Sequence, residues 1–341
     1  MSQPAAQQQL SAQWLRPCLA LLITMAIMLP AAAQYKAART AFGDPDLQGL
    51  WSNASLTTLE RQNYVTSLVV SAEQASAIER SNNAWFETDR RPTDPGVGAP
   101  AAGSDVRGYN SFWLDRGSKL ARVRGEIRTS WVIAPATGRI PYSAQARLQL
   151  RERARPSSEG PETRSLGDRC IVGYGSTSGP PMLNVLYNNN YQIVQAPGIV
   201  AIVVEMNHDA RLIRIGGVHP PAHVHLWMGD SIGHWDGDTL VVETTNLHPG
   251  QSFTADVRHF LYLPPTAKVI ERFTRVATDQ LLYEFSVADE AAYTQTWRGE
   301  MVMSAAKGPM YEYACHEGNH SLPNILRGAR YEEGKRESAT R

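Results

Sequence analysis

Short apolar runs at hairpin spacing dominate the second half of the chain. They occupy residues 191–196, 199–205, 210–215, 239–245, 267–275, 280–287, 296–303 and 310–314. The runs are rich in Val, Ile and aromatic residues, which favour strands, and the Asp236-Gly237 pair is typical of a two-residue hairpin turn. Because a closed sheet leaves no exposed edge, the pattern predicts an all-β, mainly antiparallel fold, a lipocalin-like up-and-down β-barrel over residues 168–320. The alternative is an open curved sheet or a two-sheet sandwich.

The clearest hairpin lies at residues 187–205, where two apolar runs flank Ala196-Pro197-Gly198. Alternation along the second run places Glu205 in phase with Ala201 and Val203, opposite Val200 and Ile202. The pattern does not say which face points inward.

Residues 34–167 have a different character, with long polar connections between short elements. Ser71 and Gln74 form a capping-box pattern that predicts a helix to about Phe86. Further elements are expected as strands at 108–114 and 127–133 and as an exposed helix at 143–155. We therefore predict a partly helical N-terminal segment that wraps the barrel. In the C-terminal tail, 321–341, we predict a helical start at 321–326 and a frayed charged end at 327–341.

Residues 1–33 have the pattern of a secretory signal peptide. Arg16 precedes an apolar run of about a dozen residues, and an Ala-rich site follows, which predicts cleavage near Ala33 and a periplasmic or secreted protein. The chain has 33 basic and 33 acidic side chains, and loss of Arg16 leaves a net charge of about −1. This balance predicts no nucleic-acid partner and, after cleavage, no membrane partner; it leaves the oligomeric state open.

Two cysteines remain beyond the signal segment, Cys170 and Cys315. In an oxidising compartment such a pair is most simply a disulfide, which on the chain-entropy model contributes about 4–5 kcal/mol. The alternatives are a thiol nucleophile or a two-cysteine metal site.

Acid–base candidates cluster at two places in the sequence. Glu205 ends a core strand with His208 just beyond it, and a carboxylate buried there would have the raised pKa that suits a general acid or base. His316 and Glu317 follow Cys315, so a disulfide would fix the backbone beside the imidazole. We predict His316 with Glu205 as the main catalytic pair, with His208 and Glu317 in secondary roles. The structural alternative is a C-terminal turn capped by polar side chains.

Other side chains are candidates for ligand contact because they combine aromatic or polar surface with strand positions. They are Tyr187, Asn189, Tyr191, Trp227, Trp235, Glu243 and Glu284. No organic cofactor is predicted. The alternative cofactor is a divalent metal at His219, His223 and His225, where an H-x-H pair could clasp an ion, although zinc needs three or four ligands.

Several stretches together resemble a family of uncharacterised secreted bacterial proteins. They are PDLQGLW (45–51), RTSWVIAPATGRIP (128–141), YNNNYQIVQ (187–195), WMGDSIGHWDGDTLVVETTN (227–246), ERFTRV (271–276) and YEYACHEGN (311–319). The resemblance implies export and a single folded unit, and it transfers no catalytic role.

Three functions follow as hypotheses. The first is a lyase, isomerase or hydrolase that takes a small, partly aromatic or sugar-like molecule into a barrel cavity; it predicts that His316→Ala abolishes turnover and leaves the fold intact. The second is a non-catalytic small-ligand carrier, whose ligand would quench tryptophan fluorescence and be recovered unchanged. The third is a structural envelope protein.

Overall fold

A computed structural model describes residues 35–89, 96, 114–154, 160–256 and 259–339. Tyr35–Arg341 form one compact unit. The predicted signal peptide, the strand predicted at 108–114 except for Leu114, and most of the loop at 88–105 lie outside the described residues. Within the described part of the chain, none of the helices has the length and apolar character needed to cross a membrane.

Fifteen strands and four helices are described. The strands are β1 Gly49–Ser52, β2 Val69–Val70, β3 Arg122–Val123, β4 Glu126–Arg128, β5 Val132–Ala134, β6 Asn190–Ala196, β7 Ile199–Val204, β8 Ala210–Ile215, β9 Asp230–Asp236, β10 Thr239–Thr245, β11 Phe253–Asp256, β12 His259–Tyr262, β13 Lys268–Ala277, β14 Gln280–Ala288 and β15 Trp297–Ala305. The helices are α1 Ala72–Asp89, α2 Ala144–Arg153, α3 Cys315–Gly318 and α4 Ser321–Ala339.

Nine strands close into a barrel, in the order β1-β6-β7-β8-β9-β10-β13-β14-β15 and back to β1. The predicted all-β barrel is therefore confirmed. Neighbours pair antiparallel except β8 and β9, which are parallel, so the sheet is mixed. The connection at 216–229 is long enough to return the chain before β9 starts, so β9 runs in the same direction as β8. A tight turn would have made the two strands antiparallel. The N-terminal segment supplies β1. It also supplies β5, which pairs with Arg298 and Gly299 on the edge of β15 that pairs with β1 at its other end.

Three predicted elements of the wrapping segment and the C-terminus can be compared directly. The capping box is formed: the Ser71 hydroxyl accepts from the Gln74 amide at 3.2 Å, and the Gln74 side chain accepts from the Ser71 amide at 3.0 Å. The strand predicted at 310–314 is wrong, because those residues are irregular and their amides bond to side chains. The helical start predicted at 321–326 is confirmed, but the frayed end is wrong over 327–339, because α4 continues to Ala339. Its half-buried Leu322, Ile325 and Ala329 recur at helical spacing.

Large side chains fill the core that the barrel encloses. Those with almost no exposed surface include Trp51, Tyr191, Phe273, Tyr283, Trp297 and Met301. Residues 176–185 are all buried as well, and this segment is tied inward because the Met182 amide donates to the Tyr283 hydroxyl at 2.9 Å. The segment 176–185 therefore helps to fill the core, where we had expected space for a ligand.

One ion pair is buried within this core. The Arg211 guanidinium on β8 donates to both carboxylate oxygens of Glu271 on β13, one of them at 2.9 Å, and the two side chains are 1% and 0% exposed. The Tyr283 hydroxyl also donates to Glu271, at 2.7 Å. A buried charge pair is tolerable because the two charges and their hydrogen bonds compensate each other.

Candidate functional site

A cavity of about 960 Å³ lies between the end of β7 and the C-terminal segment 307–325. We call it the Glu205 pocket. Its lining is rich in phenols and carboxylates and has a single basic side chain: Tyr174, Tyr187, Tyr311, Tyr313, Asp115, Asp168, Glu205, Glu312 and Lys307. Asp168 is paired with Arg164 at 3.0 Å, and the other three carboxylates outnumber Lys307. The pocket therefore combines aromatic surface with an excess of negative charge.

Glu205 reaches the pocket because the chain turns at the end of β7. The strand stops at Val204, and Glu205 takes helical dihedral angles, φ −61° and ψ −41°. The inward face of the strand carries Val200, Ile202 and Val204. Glu205 is nevertheless only 3% exposed. Alternation would have assigned it to the opposite face, and the turn overrides that assignment.

The Glu205 carboxylate is held by two hydrogen bonds. One oxygen accepts from the Asn190 side-chain amide at 2.8 Å, and the other accepts from the Tyr311 backbone amide at 3.4 Å. His208 also binds the backbone of the C-terminal segment: its exposed ring accepts through Nε2 from the Tyr313 amide at 3.2 Å. Two of the predicted catalytic side chains therefore position the C-terminal wall of the pocket.

The structure does not bring the other two predicted catalytic residues into the pocket. His316 and Glu317 are both exposed on α3, and neither lines the cavity. Within the described part of the chain, no hydrogen bond or ion pair joins His316 to Glu205. The sequence pattern placed His316 beside a fixed backbone, but it did not give the direction of the ring.

The predicted disulfide is confirmed, with Cys170 and Cys315 bonded and their Cα atoms 5.7 Å apart. Asn319 strengthens the same junction, because its side-chain amide donates to the Asp168 carbonyl at 2.7 Å. Since Cys315, Asn319 and Asp168 all line the cavity, the disulfide fixes the C-terminal wall to the loop that precedes β6.

Three tyrosines of the pocket, Tyr174, Tyr187 and Tyr313, have defined neighbours. The Tyr174 hydroxyl donates to Asp168 at 3.0 Å, and burial together with this carboxylate raises the pKa of Tyr174 well above its usual value. Burial also raises the pKa of Tyr313. The rings of Tyr187 and Tyr313 stack with centroids 6.4 Å apart and an interplanar angle of 18°. Two phenol faces thus form one side of the pocket.

Of the side chains predicted to contact a ligand, Tyr187 alone lines this pocket. Asn189 and Tyr191 are fully buried. Asn189 bonds to backbone groups of Asp115 and Val185, and the Tyr191 hydroxyl donates to the Thr177 carbonyl at 3.0 Å. Both are therefore placed to hold the backbone around the barrel end.

The remaining four predicted contacts lie elsewhere on the barrel and its loops. Trp227 stacks on His248 with ring centroids 3.9 Å apart, and Trp235 is half-buried against the core. Glu243 pairs with Lys268 at 3.1 Å, and Glu284 pairs with Arg124 at 2.9 Å. None of these four lines the Glu205 pocket.

The alternative metal site at three histidines is not assembled. His219 Nδ1 lies 2.6 Å from Asp230 and its Nε2 lies 3.5 Å from Glu243, whereas His223 and His225 are exposed. Among the residues that the structure describes, no group of three or more His, Cys, Asp or Glu could hold a metal ion. Burial alone would raise the pKa of Asp230, but hydrogen bonds from Arg214 and His219 lower it below its usual value.

Sequence reasoning missed most of the pocket. Tyr311 and Tyr313 alternate in the YEYAC stretch directly before the predicted disulfide, and this proximity was an available signal. Tyr174 lies in the Gly-rich stretch at 173–179, where no site residue was predicted. No family model, curated protein or solved structure matches the chain. The resemblance to secreted bacterial proteins therefore stays a prediction based on motifs.

Proposed function

We propose that the protein is an exported small-ligand-binding protein and that its ligand, an organic cation with an apolar body, occupies the Glu205 pocket. One observation carries the proposal: the pocket is lined by four tyrosines and four carboxylates but by only one basic side chain. Cations are attracted to the faces of aromatic rings and to carboxylates, and an aromatic cage is the usual way in which proteins recognise quaternary ammonium groups. A negatively lined cavity of this size also disfavours anionic ligands.

Binding is favoured over catalysis because the best acid–base groups are already engaged. Glu205 and His208 accept hydrogen bonds from the backbone of the C-terminal wall. A general base must be within reach of the proton that it removes, and here both groups are used to hold the wall.

Export is supported by two independent features. Residues 1–33 have the charge and apolar pattern of a signal peptide. The Cys170–Cys315 disulfide is of the kind that persists in oxidising compartments. The proposed location is therefore periplasmic or secreted.

Calorimetric titration with two matched probes tests the ligand class. We expect benzyltrimethylammonium to bind, and benzyl alcohol to bind at least about tenfold more weakly, because it lacks the positive charge. The Asp115→Asn/Glu312→Gln double variant neutralises two exposed pocket carboxylates and should weaken benzyltrimethylammonium binding by about tenfold. Glu317→Gln is the matched control, since this acid is exposed in the same segment but lies outside the lining. Equal affinity for the two probes, or an equal loss in the control, would refute the proposal.

An acid–base enzyme at the same pocket is the second candidate, favoured by the near-complete burial of the Glu205 carboxylate in the pocket wall. Mass spectrometry of a bound probe after prolonged incubation separates the two functions. Recovery of the probe unchanged supports binding alone. A product that forms with the wild type and is absent with Glu205→Gln, while the variant still binds the probe, supports the enzyme.

A further inference from the structure

A second concave site lies on another part of the surface. It is a groove of about 670 Å³ between α2 and β12, with residues 139–142 as its floor. Arg147 and Arg151 lie four residues apart on α2 and so project from the same face of the helix. Tyr142 fixes the floor: it is buried, and its hydroxyl accepts from the Tyr262 amide at 3.1 Å. We call this site the arginine groove.

The charge of the groove is positive. Its lining contains Arg139, Arg147 and Arg151 against one carboxylate, Glu60. That carboxylate is already engaged, because it accepts from the Ile140 amide at 2.6 Å and lies 3.8 Å from the Arg139 guanidinium. The three guanidinium groups are therefore only partly neutralised from within the site.

Two of these arginines have donors to offer a ligand. Arg147 is exposed, and it donates through Nε to the Tyr142 carbonyl at 3.1 Å, which orients the guanidinium. The Arg151 side chain makes no hydrogen bond or ion pair with any residue that the structure describes. The imidazole of His259 also faces the groove, but its Nε2 lies 2.7 Å from the Gly175 carbonyl.

An apolar wall lies next to the cationic side. Leu150 is half-buried between the two helix arginines, and Phe260 is 52% exposed. The ring of Phe260 is held by stacking on Phe253, with centroids 6.0 Å apart and an interplanar angle of 16°. An ion without an apolar part would leave this surface in contact with water.

We infer that the arginine groove is a second binding site, specific for amphipathic organic anions: a carboxylate held by Arg147 and Arg151, with an apolar body against Leu150 and Phe260. Guanidinium groups match carboxylates by paired, charge-assisted hydrogen bonds. The apolar body covers the exposed ring and distinguishes such a ligand from inorganic anions. The site does not depend on the Glu205 pocket, whose lining has the opposite charge.

Calorimetric titration of the full chain with 4-phenylbutyrate, inorganic phosphate and the uncharged 4-phenylbutan-1-ol tests this inference. We expect 4-phenylbutyrate to bind at least about tenfold more tightly than either other probe. Arg147→Gln/Arg151→Gln should weaken 4-phenylbutyrate binding by at least about tenfold. Arg153→Gln should leave it unchanged, since Arg153 is exposed on the same helix but does not line the groove.

A second variant, Phe260→Ser, keeps the test decisive if the double variant loses helix content in circular dichroism. It should weaken 4-phenylbutyrate binding and leave the response to phosphate unchanged. The inference is overturned if the wild type does not bind 4-phenylbutyrate up to about 10 mM, if phosphate or the alcohol binds equally well, or if Arg153→Gln loses as much affinity as the double variant.

Discussion

Replacing Glu271 by leucine should be among the most damaging single substitutions in the barrel. The change leaves the Arg211 guanidinium, which is 1% exposed, without its partner in the core. Removing one member of a buried ion pair costs about 3–5 kcal/mol. The Tyr283 hydroxyl also loses its acceptor, which adds about 1 kcal/mol. We therefore expect Glu271→Leu to lower the free energy of unfolding by about 4–6 kcal/mol.

Complementary variants distinguish the contribution of the ion pair to stability from the contributions of the two individual side chains. Arg211→Met should cost about 3–5 kcal/mol for the same reason. The double variant Arg211→Met/Glu271→Leu places two apolar side chains of similar volume in the core. Its free energy of unfolding should lie within about 1–2 kcal/mol of the wild-type value, since apolar replacements of buried ion pairs are often neutral or stabilising.

Urea unfolding followed by tryptophan fluorescence measures these differences, with the disulfide kept intact. At an m-value of about 3 kcal/mol per molar, the Glu271→Leu midpoint should fall by about 1–2 M. Arg272→Met is the matched control on the same strand, because Arg272 is 40% exposed and its partner Asp236 is 62% exposed; it should cost less than about 1 kcal/mol. A cost for Glu271→Leu no larger than that of the control, or a double variant as unstable as the worse single, would refute the reasoning.

Three further results are expected. The double variant Cys170→Ser/Cys315→Ser removes a cross-link between residues that are 145 positions apart, which on the chain-entropy model lowers the free energy of unfolding by about 5 kcal/mol. Thermal unfolding should show a large fall in melting temperature, and an unchanged melting temperature would contradict this prediction. The lowered pKa of Asp230 means that its charged form adds stability above the unfolded pKa of about 3.9 and that this contribution is lost as the pH falls through the folded value. Urea unfolding at several pH values should therefore show the advantage of the wild type over Asp230→Asn shrinking below about pH 4; a constant difference would contradict this. Finally, His316→Ala should leave benzyltrimethylammonium binding unchanged, because this exposed ring lies outside the pocket lining; a large loss in titration would return His316 to the site.

Local patterns predicted the parts of the fold that local physics determines. The β6–β7 hairpin, the capped start of α1 and the disulfide each follow from residues whose chemistry has one main structural use. The parallel pairing of β8 and β9 does not, because strand direction depends on the path of the connection at 216–229 and not on the strands themselves.

The candidate site was only half accessible from the sequence. Glu205 was singled out because a carboxylate ends an apolar run. Its true neighbours, such as Tyr311 and Tyr313, come from a segment more than a hundred residues away. No periodicity links these segments, and only the disulfide prediction brought them near one another. The inward position of Glu271 was missed because alternation gives two faces without naming the buried one.

The way in which β1 closes the barrel has a consequence for folding. Trp51 on β1 pairs with Tyr191 on one side and with Ala305 on the other, so both ends of the sheet depend on a four-residue strand near the N-terminus. Contacts so distant in sequence carry a large loop-closure entropy and slow the search for the native state. Until they form, the facing edges of β6 and β15 are open to pairing with other chains. We therefore expect barrel closure to be a late step that follows synthesis of β15, and aggregation to compete with it most strongly just before it occurs.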